Sequence, residues 1–254
     1  MKQRALGIYS AFALAFLHAP LLVLVAFSFN ASRFTVWEGF SLRWYRAALA
    51  DPQLADGLVN SVIVALVSAV LSTVIGTLVA YGMWRKSAPL LSGTLYLSLV
   101  TPEIVTGVSL LALFQWTFRF LRLPLGLHTV IVAHVAFSIA YVAIVISARL
   151  RNYDRSLEEA AMDLGANEWG AFYRVTLPSL APAIAAAGLL ALVVSFDDYV
   201  ITSLVAGVNS ETLPMIIYAM ARKGVSPEVN ALSVMITVGL GVLVLISGRL
   251  ERQK

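Results

Sequence analysis

Three carboxylates, Glu103, Asp197 and Asp198, stand in stretches otherwise rich in Val, Leu, Ile and Ala. At bilayer depth an ionised side chain costs on the order of 3 kcal/mol unless it faces water or a partner, so each is a candidate to line a pathway for a cation. Glu103 follows Thr101-Pro102, where the missing proline amide leaves helix carbonyls free. A carbonyl and a carboxylate together suit an ammonium group, and aromatic faces add cation–π attraction. Asp197 and Asp198 are neighbours and point about 100° apart on a helix. One is expected to meet the cation, while the other pairs with Arg222 or Lys223 or holds the end of its helix. For Glu103 the alternative is pairing with His134 or with hydroxyls of a neighbouring helix. Trp44 is a further pathway candidate, although an interfacial anchor or a docking surface suits it better. Catalytic chemistry is not expected. Ser10, Ser28 and Tyr9 lack a His/Asp partner pattern, Cys is absent, and His18, His128 and His134 make no metal spacing. His134 reads as a hydrogen-bonded interior residue.

The elements that must position these residues are long and apolar. The 254 residues are 59% hydrophobic and 13% charged, with a mean hydropathy of +0.84, whereas a soluble domain is roughly half apolar and a quarter charged. The chain therefore reads as an all-α polytopic membrane protein, one domain over residues 1–254. A membrane-crossing helix needs about 20 apolar residues, and six such segments are predicted, at about 8–29, 58–83, 91–118, 128–149, 181–204 and 229–248. The first is too long for a signal-peptide core and is expected to remain. At about 1.5 Å per residue, Glu103 would lie about 18 Å into the third span and Asp197 about 24 Å into the fifth. Ser68, Ser72, Gly76 and Ala80 recur at four-residue steps, a small-residue face for close approach of another helix, within the chain or between subunits.

The basic residues alternate between the two ends of the spans. Lys2, Arg4, Arg85, Lys86, Arg149, Arg151, Arg155, Arg174, Arg249, Arg252 and Lys254 fall on one side, and Arg33, Arg43, Arg46, Arg119, Arg122, Arg222 and Lys223 on the other. Short loops rich in Lys and Arg stay in the cytoplasm, so both termini and the 150–180 segment are expected there. The net charge of +4 thus follows orientation, and no nucleic-acid partner is implied.

That 150–180 segment contains the longest hydrophilic stretch, "RSLEEAAMDLGANEWGAFYRVTLPSLAP". Ser156 and Glu159 have capping-box spacing and predict a short helix over about 157–164, ended by Gly165. Asn167 would cap a second helix over 168–175, with Trp169, Phe172 and Tyr173 on one face. Leu177-Pro178 would stop it before the next span. A helix pair with exposed aromatic residues and a ring of acids, Glu158, Glu159, Asp163 and Glu168 among them, is a docking element.

"EAAMDLGANEWGAFYRVTLP" resembles the EAA loop of the membrane subunits of ATP-binding cassette importers. Glu159, Ala160, Ala161, Gly165, Leu177 and Pro178 match its pattern, and Val175 stands where Ile is usual. The resemblance implies a type I importer permease whose coupling helix, between the fourth and fifth spans, meets an ATPase subunit, with Glu158, Glu168 and Trp169 in the same patch. "SFDDYVITSLVAG", "TLPMIIYAMARKGVSPEVNALS" and "TPEIVTGVSLLALF" are similar to the shorter permease of spermidine/putrescine importers. From that likeness come the expected partners: a second permease subunit in a heterodimer, two cytoplasmic ATP-binding subunits, an extracytoplasmic binding protein and a polyamine substrate, in the bacterial inner membrane. ATP and magnesium would be bound by the partner ATPases. "LLSGT" at 90–94 resembles an ATPase signature loop but opens a span, and no phosphate-binding loop is present, so this chain needs no cofactor of its own and is not an enzyme. Rival readings are the same machine carrying an opine or amino-acid derivative, and a proton-coupled transporter using Glu103 and His134.

Overall fold

A computed structural model describes residues 2–33, 36–121, 123–224 and 227–251; of the cations counted above, Arg122, Arg252 and Lys254 lie outside them. The described residues are helical throughout, apart from loops and one isolated bridge between Asn30 and Phe40. The helices are α1 (Lys2–Ser28), α2 (Arg43–Ala50), α3 (Pro52–Arg85), α4 (Pro89–Val100), α5 (Glu103–Leu121), α6 (Leu127–Leu150), α7 (Ser156–Asp163), α8 (Glu168–Ala171), α9 (Leu177–Asp197), α10 (Val200–Val205), α11 (Leu213–Arg222) and α12 (Pro227–Glu251). A π turn, Phe172–Thr176, joins α8 to α9.

Contacts within the chain gather residues 1–55 and 216–254 into one unit and 56–215 into another. In the first, α12 packs against α1 and α2. The 30–40 loop is tied to α2 by the Trp44 Nε1–H, which donates to the Asn30 carbonyl at 2.9 Å, and by stacking of Phe29 on Phe40 and Tyr45.

The second unit holds both candidate sites. Its core is two apolar clusters. Ala80, Val142, Ile146, Leu150 and Leu180 centre one, joining α3, α6 and α9; Val64, Phe114, Val130, Phe137 and Val205 centre the other, where α5 and α10 join. The small-residue stripe of α3 is buried within the chain: Ser68, Ser72, Gly76 and Ala80 all face inward, and a Cβ at Gly76 would come within 2.7 Å of Val142 on α6. Leu66, Val70, Val74 and Leu78 on the opposite side of α3 are exposed, as a lipid-facing surface requires.

Four helices among the described residues are long and apolar enough to cross a membrane, Tyr9–Ser28, Pro52–Arg85, Leu127–Leu150 and Glu168–Asp197. A bent pair, Pro89–Val100 with Glu103–Thr117, makes a fifth if taken as one span. The sixth expected segment lies within α12 and is not among those five.

The third expected span is not a continuous rod. It bends by 112° between α4 and α5. Pro102 disfavours helical backbone at the residue before it, and Thr101 is extended, at φ −66° and ψ 129°. Depth counted along a straight helix therefore does not apply to Glu103, the first residue of α5. The fifth span is also interrupted, by extended backbone at Asp198 between α9 and α10.

Candidate functional site

The two interruptions meet at one place. The last turn of α4, the start of α5, the α9–α10 junction and the middle of α6 enclose a cavity of about 480 Å³ whose lining includes Glu103, Asp197, Asp198, Phe137, Tyr141 and Tyr199. All three sequence-predicted acids are thus brought together. Trp44 belongs to the other unit, where it holds the 30–40 loop and lies under the Arg43 guanidinium at 4.3 Å.

Asp197 and Asp198 do not share a helix as expected. Asp197 ends α9, and Asp198 begins the next turn by accepting hydrogen bonds from the Ile201 and Thr202 amides at 3.3 and 2.8 Å. A side-chain oxygen satisfying the free amides of a helix start is what an aspartate cap provides. The partner of Asp198 is His134, with Nε2 at 3.3 Å from Oδ2, in place of the expected Arg222 or Lys223. Arg222 stacks on Tyr218 in the other unit. His134 is fully buried, an interior hydrogen-bonded residue as read, and the carboxylate beside it is Asp198, not Glu103, for which pairing with His134 was the alternative. Among the described residues no hydrogen bond or ion pair engages the carboxylate of Glu103 or of Asp197. Both are exposed at the cavity. The carbonyl of Ser98, another lining residue, would have Pro102 as its helical donor and gets none.

The second site is the elbow between α6 and α9. Its first helix begins at Ser156, one residue earlier than predicted, and Ser156 does not cap it. Asp154 takes that role, its carboxylate accepting the Ser156 amide at 3.0 Å, which holds the carboxyl below its ordinary range. Gly165 turns the chain at φ +94°, a conformation that disfavours side chains. Asn167 caps α8 by accepting the Gly170 amide at 2.7 Å, as the sequence predicts. Leu177-Pro178, however, does not stop the helix. The π turn widens the backbone, the Leu177 amide reaches the Phe172 carbonyl, and helix runs on from Glu168 to Asp197. Widening makes room for a ring that would otherwise crowd the preceding turn.

The ring of acids is incomplete, because Glu158 points inward, only 2% exposed. Arg85 Nη1 donates to its Oε2 at 3.1 Å, Tyr81 donates to the same oxygen at 3.5 Å, and Thr176 donates to Oε1. Arg85 Nη2 donates to Glu168 at 2.8 Å. One guanidinium at the end of α3 therefore holds α7 and α8 together. Phe172 also turns inward, against Tyr81 at 4.5 Å, because the π turn rotates it off the Trp169–Tyr173 face. Arg155 covers the Trp84 ring at 4.5 Å and donates to the Trp84 carbonyl. What remains outward is Glu159, Ala160, Asp163, Leu164, Gly165, Glu168, Trp169 and Tyr173, with Ala161 and Leu177 half-buried and Pro178 exposed. Glu158 is thus an internal tie and not a contact surface. Sequence reading passed over Arg85 and Thr176, because Arg85 is far from Glu158 along the chain and no local pattern links them.

A membrane-embedded chain with an acid-lined cavity at paired helix breaks and a polar elbow on one long helix belongs to a recognisable class. Residues 72–252 match the family described as "Binding-protein-dependent transport system inner membrane component", and the chain is a member of that family. Among its relatives, the "Putrescine transport system permease protein PotI" of Escherichia coli strain K12 is 42% identical over 94% of this chain and 89% of its own length. The "Spermidine/putrescine transport system permease protein PotC" of the same strain is 37% identical over 94% of this chain and 91% of its own. Both are named as transport subunits rather than enzymes. Among solved structures, a bacterial ABC transporter importing the acidic polysaccharide alginate has a chain superposing at a TM-score of 0.70, with 17% identity, covering 98% of this chain and 97% of that one. The same kind of transporter bound to a periplasmic protein carrying an alginate pentasaccharide gives 0.73, with 15% identity over 96% and 91%. These likenesses establish the type I permease fold.

Proposed function

We propose that the chain is the membrane-spanning permease subunit of an ATP-driven importer of polyamines, receiving putrescine or spermidine from an extracytoplasmic binding protein. The observation that carries the substrate class is the gathering of Glu103, Asp197 and Asp198 round one cavity lined by Phe137, Tyr141 and Tyr199. Polyamines are extended multiple cations, which separated carboxylates neutralise one ammonium at a time and aromatic faces attract. The names of the relatives point the same way.

The chain crosses the inner membrane six times, with both termini and the elbow in the cytoplasm, and works beside a second, different permease subunit. Two ATPase subunits bind ATP and magnesium and receive the outer face of the elbow: Glu159, Ala160, Ala161, Gly165, Glu168 and Trp169. As the ATPases close, the elbow moves, and the helix that runs unbroken from Glu168 to Asp197 carries the displacement to the cavity wall. Arg85 couples the same displacement to α3. In this way the cavity alternates between a side open to the binding protein and a side open to the cytoplasm.

The test is reconstitution of the chain with its genomic neighbours in liposomes. Labelled putrescine should enter only with ATP on the elbow side and the loaded binding protein on the other. Absence of putrescine and spermidine uptake by an assembled, ATP-hydrolysing complex overturns the substrate class. Failure of a crosslinker at Ala161→Cys to capture an ATPase subunit overturns the coupling role.

A further inference from the structure

The three cavity acids are alike in chemistry but not in engagement. Oδ2 of Asp198 accepts the Thr202 amide and hydroxyl, both at 2.8 Å, and lies 3.3 Å from His134 Nε2; Oδ1 accepts the Ile201 amide at 3.3 Å. Its side chain is only 6% exposed. Behind it, His134 Nδ1 lies 2.7 Å from the Ser195 hydroxyl, and Nε2 lies 2.9 Å from that of Thr202. One neutral tautomer satisfies this set. Nε2–H donates toward Thr202 and Asp198, the Thr202 hydroxyl donates to Asp198, and Nδ1 accepts from Ser195. A carboxylate holding three hydrogen bonds and an imidazole has little acceptor capacity left for an ammonium group, and its withdrawal would leave the amides that begin α10 bare. Glu103 and Asp197 have neither constraint: they are exposed at the cavity with no partner among the described residues. Asp197 is moreover the residue immediately before the locked one, so the lock fixes where it stands.

We infer that Glu103 and Asp197 are the carboxylates that receive the substrate's ammonium groups, while Asp198 is withheld from substrate and, clamped by His134 with Ser195 and Thr202, serves as a positioning residue that sets the α9–α10 break. This rests on the cationic substrate class proposed above and divides the labour within that site. His134 ties α6 to the end of α9 and the start of α10, so the α9–α10 break keeps its geometry while the free acids change occupants.

The experiment uses the reconstituted complex at saturating loaded binding protein and reads three quantities: putrescine uptake rate, ATP hydrolysis, and the thermal unfolding midpoint in detergent. Asp197→Asn and Glu103→Gln should each lower uptake about tenfold, the scale of one lost charge-assisted hydrogen bond, with ATP hydrolysis and midpoint unchanged. Asp198→Asn, His134→Ala and Thr202→Val should lower the midpoint, and in whatever complex survives uptake and ATP hydrolysis should fall together. The last two leave the Asp198 carboxylate in place, so the division stays testable if Asp198→Asn does not fold. Loss of uptake alone in Asp198→Asn with an unchanged midpoint overturns the inference. So does normal uptake in Asp197→Asn. A wild-type complex that hydrolyses ATP but moves no polyamine overturns the substrate class instead, and leaves the midpoint series to decide the Asp198 lock by itself.

Discussion

Two pairs of adjacent acids, Glu158-Glu159 in the elbow and Asp197-Asp198 at the cavity, have met the same fate by different routes. In each pair one carboxylate turns inward and is held by a basic side chain and a threonine hydroxyl: Glu158 by Arg85 and Thr176, Asp198 by His134 and Thr202. Its neighbour stays outside, Glu159 on the elbow surface and Asp197 at the cavity. The difference lies in the base. Arg85 is always charged and forked, so one residue spans Glu158 and Glu168 and joins two helices to α3. His134 is compact, and its two ring nitrogens reach Ser195 on one side and Thr202 with Asp198 on the other, so one ring joins α6 to α9 and α10. At the elbow a fork that reaches two acids ties two helices to a third; at the cavity a ring with two nitrogens ties α6 to both sides of the helix break.

The largest effect expected outside the cavity comes from removing the inward acid of the elbow. Glu158→Ala would leave Arg85 bound only to Glu168 and strip Tyr81 and Thr176 of their acceptor, a loss of about 2 kcal/mol at the scale of hydrogen bonds to charged groups. Limited proteolysis of the 150–180 segment should accelerate and ATPase capture should fail. Glu159→Ala should leave the proteolysis rate unchanged while weakening capture. Equal proteolysis in the two variants would erase the distinction between inward and outward acids.

That distinction was only half legible in the amino-acid order. The elbow's position, its Gly165 turn and its Asn167 cap follow from local chemistry that acts within a few residues, and all three stand in the fold. Which of two adjacent glutamates turns inward depends on Arg85, more than seventy positions away, and local patterning carries no record of it. The helix break at Thr101-Pro102 was legible, since the residue before a proline avoids helical backbone; reading the apolar run as one span overrode that signal. Asp198 also had a local signature, an acid four residues before Thr202 at the start of a new turn. It was hidden because the surrounding sequence is apolar enough to pass for unbroken helix. The π turn before Leu177-Pro178 had its signal in that proline, whose ring needs room in the preceding turn; reading Leu-Pro as a stop passed over it. Elsewhere hydropathy located the long apolar helices approximately, and α3 and α6 enclose their predicted spans.

A smaller change sharpens the role of the base. Arg85→Lys keeps the charge but offers a single ammonium in place of a fork, so it can serve Glu158 or Glu168 well, but not both in the present geometry. The expected cost is about 1 kcal/mol, with uptake reduced relative to ATP hydrolysis because α7 and α8 are no longer held by one group. Simultaneous assay of uptake and hydrolysis checks this. A lysine variant with an unchanged ratio would mean that the fork contributes nothing to transmission.

The turn between the elbow's two helices should tolerate most of all. A Cβ at Gly165 meets nothing within 4 Å, so the whole penalty of a side chain there arises from the backbone at φ +94°. Gly165→Ala should destabilise the elbow by about 1 kcal/mol, and Gly165→Asn by less, since asparagine tolerates left-handed backbone. Proteolysis rates of the loop order the three proteins. Because neither variant disturbs Glu158 or Arg85, both should retain the joint to α3, and uptake should fall only as far as ATPase capture falls. Loss of uptake with intact capture in Gly165→Asn would mean that the turn, rather than the Arg85 fork, transmits the motion.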